Sequence, residues 1–208
     1  MPQVKIQKQG KESGWALWFI SESEQELAEV SGADCPGEII NHQKRLEWLA
    51  GRALMKTLVE FNGLSYLGIR KDEYGKPFLN ELPHQISLSH SYPYVAGQID
   101  LLQAVGVDVE QPKEKLLKIA HRIMSPEELE DAGTNIIKHC VYWCAKETLY
   151  KIHGKRGLHF SDQLNLEPFP LDKSGTLKGI IRENDSRRHV NLAYSVQPDY
   201  VIVYTQTN

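Results

Sequence analysis

Cysteine is scarce in this chain, and the little there is carries no metal or redox signature. Cys35, Cys140 and Cys144 include no CxxC pair and no metal-finger spacing. The odd count, without a signal peptide, points to a reducing cytoplasm. Long hydrophobic runs are also missing. No apolar stretch approaches the roughly 20 residues needed to cross a bilayer, so no membrane partner is expected. Charge of one sign is lacking as well, with 24 basic residues against 27 acidic ones. That near balance argues against a nucleic-acid partner, although it leaves local basic patches open. Residue-level repeats are absent.

What is present reads as α+β. The 208 residues suffice for one large domain or two small ones. "WALWFI" has strand composition, and Ser23 with Glu26 forms a capping box for a short helix. "GEIINHQKRLEWLAGRALMKTLVEFNG" carries apolar residues at helical spacing up to a stop at Gly63. "ISLSHS", "YVAGQID" and "AVGVDVEQ" then read as strands. The second half repeats this rhythm. "EKLLKIAHRIM" and "SPEELE", the latter capped by Ser125 and Glu128, precede a long helix "NIIKHCVYWCAKETLYKIHG". "TLKGIIRE", "HVNLAYSV" and "YVIVYT" end the chain as strands. Two halves are therefore expected, residues 1–103 and 104–208, each a long helix on a mostly antiparallel sheet.

The stretch "AVGVDVEQ" poses the chemical question. Asp108 and Glu110 stand two apart on an apolar strand, hence on one face, where carboxylates repel each other and resist burial. A divalent cation with oxygen ligands would relieve that repulsion; an exposed edge with solvated acids is the plain alternative. In "WCAKETLYK", Glu147 shares a helix face with Lys151, and Trp143 lies one turn earlier. An ordinary surface ion pair would look the same. His90 is flanked by Ser89 and Ser91 in "SLSHS"; neighbours on a strand point to opposite faces, so phosphate binding suits them better than a catalytic dyad. Arg45 and Arg52, two helical turns apart, and Lys76 in "YGKP" are further candidates for a polyphosphate.

In chain order "GRAL", "YGKPFL", "ISLSHS", "GVDVE", "RIMSPEE" and "WCAKETLYK" resemble the 4′-phosphopantetheinyl transferases of the larger, two-halved kind that includes the surfactin-synthetase activator. "GVDVE" and W-x-x-K-E-x-x-x-K are the most diagnostic. The resemblance implies two similar α+β halves related by a pseudo-twofold axis, with coenzyme A in the cleft between them. It implies transfer of the phosphopantetheine arm to a serine of an acyl or peptidyl carrier protein, with 3′,5′-ADP released and Mg²⁺ as cofactor. Asp108, Glu110 and Glu147 would hold the metal, and Glu147, or a water it orients, would be the base. Lys151 would neutralise phosphate charge with help from Lys146. Arg45, Arg52, Lys76, Ser89 and His90 would line the nucleotide pocket. Thr148 departs mildly from the family, where Ala or Ser is common.

Carrier proteins are acidic, so a basic face is expected despite the net charge of −3. Lys113, Lys115, Lys118 and Arg122, around Leu116, Leu117 and Ile119, offer one; an ordinary amphipathic helix is the alternative. A monomer is expected, since one chain holds both halves. A Mg²⁺-dependent hydrolase of a coenzyme A-like pyrophosphate and a non-catalytic coenzyme A or carrier-protein binding module are the rival readings.

Overall fold

The structure, a computed structural model, describes residues 3–184 and 186–207. The chain divides into two compact units, one running to Val105 and including Thr207, the other Gly106–Gln206. The class is α+β, with an antiparallel sheet in each unit.

The first unit contains β1 (Gln3–Gly10), β2 (Ser13–Phe19), α1 (Glu24–Ser31), α2 (His42–Phe61), β3 (Ile69–Lys71), β4 (Pro77–Leu79), β5 (Gln85–Ser91) and β6 (Tyr94–Asp100). Its sheet runs β1-β2-β6-β5-β4-β3. The polar start of the chain gave no strand signal, yet β1 pairs with β2 from Gln3↔Phe19 to Gly10↔Ser13. An edge strand needs only one apolar face, and here Val4 and Ile6 supply it by packing on the core. The long helix α2 opens at His42 rather than at Gly37, because Asn41 caps it by accepting from the Lys44 amide at 3.0 Å. Its buried stripe of Leu46, Leu49, Ala53, Leu54 and Leu58 packs on the sheet, chiefly on β6. Each of those leucines contributes about 1.5–3 kcal/mol by leaving water.

The second unit contains β7 (Val107–Glu110), α3 (Lys115–Ile123), α4 (Pro126–Ala132), α5 (Ile136–His153), α6 (Phe160–Gln163), β8 (Leu164–Leu166), β9 (Ser174–Glu183), β10 (Ser186–Val196) and β11 (Val201–Thr205). Its sheet runs β7-β11-β10-β9-β8. α5 lies across the sheet and touches all of its strands. Asn135 caps its start and Gly154, at φ 75°, ends it. α5 comes very close to the entry of β7. A Cβ placed on Gly106 would lie 2.3 Å from the Thr148 carbonyl oxygen, so only glycine fits there. Among the described residues no helix is long and apolar enough to cross a membrane.

Candidate functional site

The acids of β7 sit where the strand pairs with β11: Asp108 opposite Val203 and Glu110 opposite Val201. Asp108 is buried, and Lys151 of α5 reaches it with Nζ 2.7 Å from Oδ1, while also donating to the Val107 carbonyl at 2.9 Å. Lys115 approaches Glu110 at 3.3 Å. Glu147 lies one helical turn before Lys151. Burial first, then the charge of Asp108, pushes its carboxyl up to about 7; Lys151 pulls it down and Glu110 adds a further push. Three carboxylates thus feel one another around one lysine. Beside them, Phe160 stacks on Trp143 at 6.1 Å and leans on Tyr150 at 5.4 Å, forming an aromatic flank on the Glu147 side of α5.

Carboxylate oxygens are the donor type that Mg²⁺ takes. Among the described residues no group of three acidic, histidine or cysteine side chains forms a ready-made metal cage. Mg²⁺ does not require one, because it is usually held by one or two carboxylates together with water and substrate phosphate. The donor set and the mutual repulsion registered at Glu147 fit such an ion.

In the first unit, a pocket of about 450 Å³ opens beside α2, with Lys44, Glu47, Trp48, Arg52, Ser89 and His90 in its wall. The Arg52 guanidinium lies 3.2 Å from the centre of the Trp48 ring and donates to the Trp48 carbonyl at 3.2 Å. Glu47 is buried and is held by Lys44 at 2.7 Å, with His90 Nδ1 3.3 Å away. Burial pushes the Glu47 carboxyl up, but bonds from Lys44 and Gln43 and the His90 charge hold it below the usual range. The pocket combines a flat ring and cations, a surface suited to a phosphorylated ring system.

A sequence model of the 4′-phosphopantetheinyl transferase superfamily matches residues 104–205. The 4′-phosphopantetheinyl transferase ffp of Bacillus subtilis is 31% identical over 165 residues, covering 73% of this chain and 70% of that protein. The chain belongs to the 4′-phosphopantetheinyl transferase superfamily. The 4′-phosphopantetheinyl transferase Sfp of Bacillus subtilis (strain 168) is 32% identical over 138 residues, covering 62% of this chain and 58% of that protein. Another 4′-phosphopantetheinyl transferase of Bacillus subtilis is 32% identical over 118 residues, and the match spans about half of each protein, 51%.

Of the residues singled out in the sequence, the structure brings Asp108, Glu110, Glu147 and Lys151 together, and separately places Arg52, Ser89 and His90 in one pocket. Lys76 belongs to the turn beside that pocket: its amide donates to Asp72 and its ammonium lies 5.9 Å from the Phe78 ring. Two of the expected side chains are engaged elsewhere in this structure. Lys146 is fully buried, with Nζ 2.7 Å from Glu128 and donating to the carbonyls of Phe160 at 2.8 Å and Leu164 at 2.5 Å. It has no donor left for a phosphate. Arg45 is turned toward Glu24 at 2.6 Å and the carbonyls of Pro36 and Ile39, and it holds the loop before α2 instead of lining the pocket. Trp48 and Glu47 were missed. The i,i+4 spacing of Trp48 and Arg52 was the signal that could have found the stack.

Proposed function

We propose that the protein transfers the 4′-phosphopantetheine arm of coenzyme A to a serine hydroxyl of an acyl or peptidyl carrier protein, releasing 3′,5′-ADP. The observation that carries this reading is the grouping of the buried Asp108 with the partly buried Glu147 and Lys151, beside Glu110, on a chain of this superfamily. In the reaction the serine oxygen forms a bond to the phosphorus next to the pantetheine arm, and the bond from that phosphorus to the 3′,5′-ADP oxygen breaks. Asp108, Glu110 and Glu147 would hold Mg²⁺, which supplies charge stabilisation to the pyrophosphate oxygens as that bond opens. Glu147, or a water it orients, accepts the serine proton. Lys151 holds Asp108 in place and adds positive charge on the phosphate side.

Arg52, Lys76, Ser89 and His90 would bind the nucleotide end, with Trp48 as its flat support. The exposed Lys118 and Arg122 of α3, beside the half-exposed Leu117, would meet the acidic carrier protein. The protein would act as a cytoplasmic monomer; the three cysteines are free thiols, as a reducing compartment keeps them.

The test is the intact mass of an apo carrier protein after incubation with this protein, coenzyme A and Mg²⁺. A gain of one phosphopantetheine, abolished by EDTA and by Asp108→Ala, supports the reading. No gain across several carrier types, with free phosphopantetheine in the mixture, would instead identify a hydrolase.

A further inference from the structure

The side of α5 that faces the sheet carries a series of side-chain donors, each meeting a strand carbonyl. The Cys140 thiol donates to Glu110 O at 3.7 Å, the Cys144 thiol to Val201 O at 3.9 Å and the Thr148 hydroxyl to Val203 O at 3.3 Å. All three side chains are closed to solvent. Their targets are not scattered. Glu110 and Val201 are a cross-strand pair of β7 and β11, and Val203 is the partner of Asp108. The donors therefore sit beneath the two rungs that carry the acids of the candidate site.

The spacing is commensurate. Four residues along a helix advance about 6 Å, and two along a strand about 6.7 Å. A donor on every turn of α5, at 140, 144 and 148, can therefore keep step with carbonyls at 201 and 203. A carbonyl oxygen has two lone pairs and can accept such a bond in addition to its ladder bond. Glycine at 106, which lets the Thr148 carbonyl approach the backbone, permits the close seating that these contacts need.

We propose that Cys140, Cys144 and Thr148 are positioning residues that fix the register of α5 on the β7–β11 pair, and so set where Glu147 stands relative to Asp108 and Glu110. Sliding the helix along the sheet would unpair these donors together, whereas apolar contacts alone tolerate small shifts. None of the three touches substrate. The inference rests on the reading of Asp108, Glu110 and Glu147 as a metal site, and it assigns a task to the Thr148 hydroxyl, which an alanine at that position could not perform.

The experiment is a titration with Mn²⁺, followed by electron paramagnetic resonance, of this protein saturated with coenzyme A. Thr148→Val keeps the shape and removes the donor; Thr148→Ser keeps the donor; Cys144→Ala tests the next turn. Thr148→Val and Cys144→Ala are expected to weaken Mn²⁺ binding by about tenfold, the usual effect of losing an outer-shell partner, with Thr148→Ser within about twofold of wild type. Coenzyme A affinity without metal is expected to be unchanged in every variant. Mn²⁺ affinity unchanged in Thr148→Val would overturn the proposal, even if the melting temperature falls, because that is mere packing. Equal losses for Mn²⁺ and metal-free coenzyme A would overturn it as general distortion. A wild-type protein that binds no Mn²⁺ would overturn the metal reading itself and the inference with it. If Cys144→Ala fails to fold, the Val and Ser variants at 148 decide.

Discussion

The Lys146 ammonium lies 2.7 Å from the Glu128 carboxylate, and neither side chain reaches solvent. Glu128 also accepts from the amides of Ser125 at 2.8 Å and Leu166 at 2.9 Å, and Lys146 donates to two carbonyls beyond α5. The pair thus ties α5 to the start of α4 and to β8. Burial pushes Glu128 up and Lys146 down, each resisted by the charge of the other. Removing one partner leaves a buried charge without compensation. Lys146→Met should therefore destabilise the protein by about 3–5 kcal/mol, measured by urea unfolding, and Lys146→Met with Glu128→Gln by clearly less. A Lys146→Met protein of wild-type stability but poor coenzyme A affinity would return Lys146 to the phosphates.

The Glu147 carboxyl sets a pH dependence. Its folded value of about 7 stands above the ordinary carboxylate value, so its contribution to stability is full below about pH 4.5 and is lost as pH rises through 7. Each unit of the shift is worth about 1.4 kcal/mol. A divalent cation bound to Glu147 would displace its proton. Stabilisation by Mg²⁺ with coenzyme A present should then be larger at pH 8 than at pH 6, measured as the rise in melting temperature. An equal rise at both values would mean that Glu147 does not meet the ion.

Arg52 and Arg45 separate by what they touch. Arg52→Ala and Trp48→Ala should each raise KM for coenzyme A by about tenfold while leaving kcat nearly unchanged, since both would bind ground state and transition state alike. Arg45→Ala should instead lower the melting temperature and affect KM only through the loop it holds. A large KM effect at Arg45 without loss of stability would put its guanidinium on the nucleotide.

α3 gives a test of partner choice. Lys118→Glu with Arg122→Glu should raise KM for the carrier protein by about tenfold and leave that for coenzyme A unchanged, with the difference shrinking in high salt. Equal effects on both substrates, or none, would remove α3 from the encounter.

Much of this architecture was legible in the sequence because its signals are local. Both capping boxes, Ser23–Glu26 and Ser125–Glu128, form as the spacing required, and α5 ends at Gly154. Asp108 and Glu110 share a strand, and Glu147 and Lys151 share a helix face, so period alone put them in register. What the sequence hid depends on distant partners. Lys146 looks like any helix-surface lysine until Glu128, 18 residues earlier, is brought against it. Arg45 looks like a companion of Arg52 until Glu24 of α1 captures it. β1 was invisible because the outer face of an edge strand is polar and blurs the alternation.

Gly106 shapes the site by what it omits. The Thr148 carbonyl rests where even a methyl group would intrude, so the thickness of the layer between helix and strand is set at its minimum by one hydrogen atom. That makes the constraint one-sided. Charge lost elsewhere in the site could be restored by another residue, but volume added at position 106 has no counterweight except retreat of the whole helix, which would carry Glu147 and Lys151 away from Asp108.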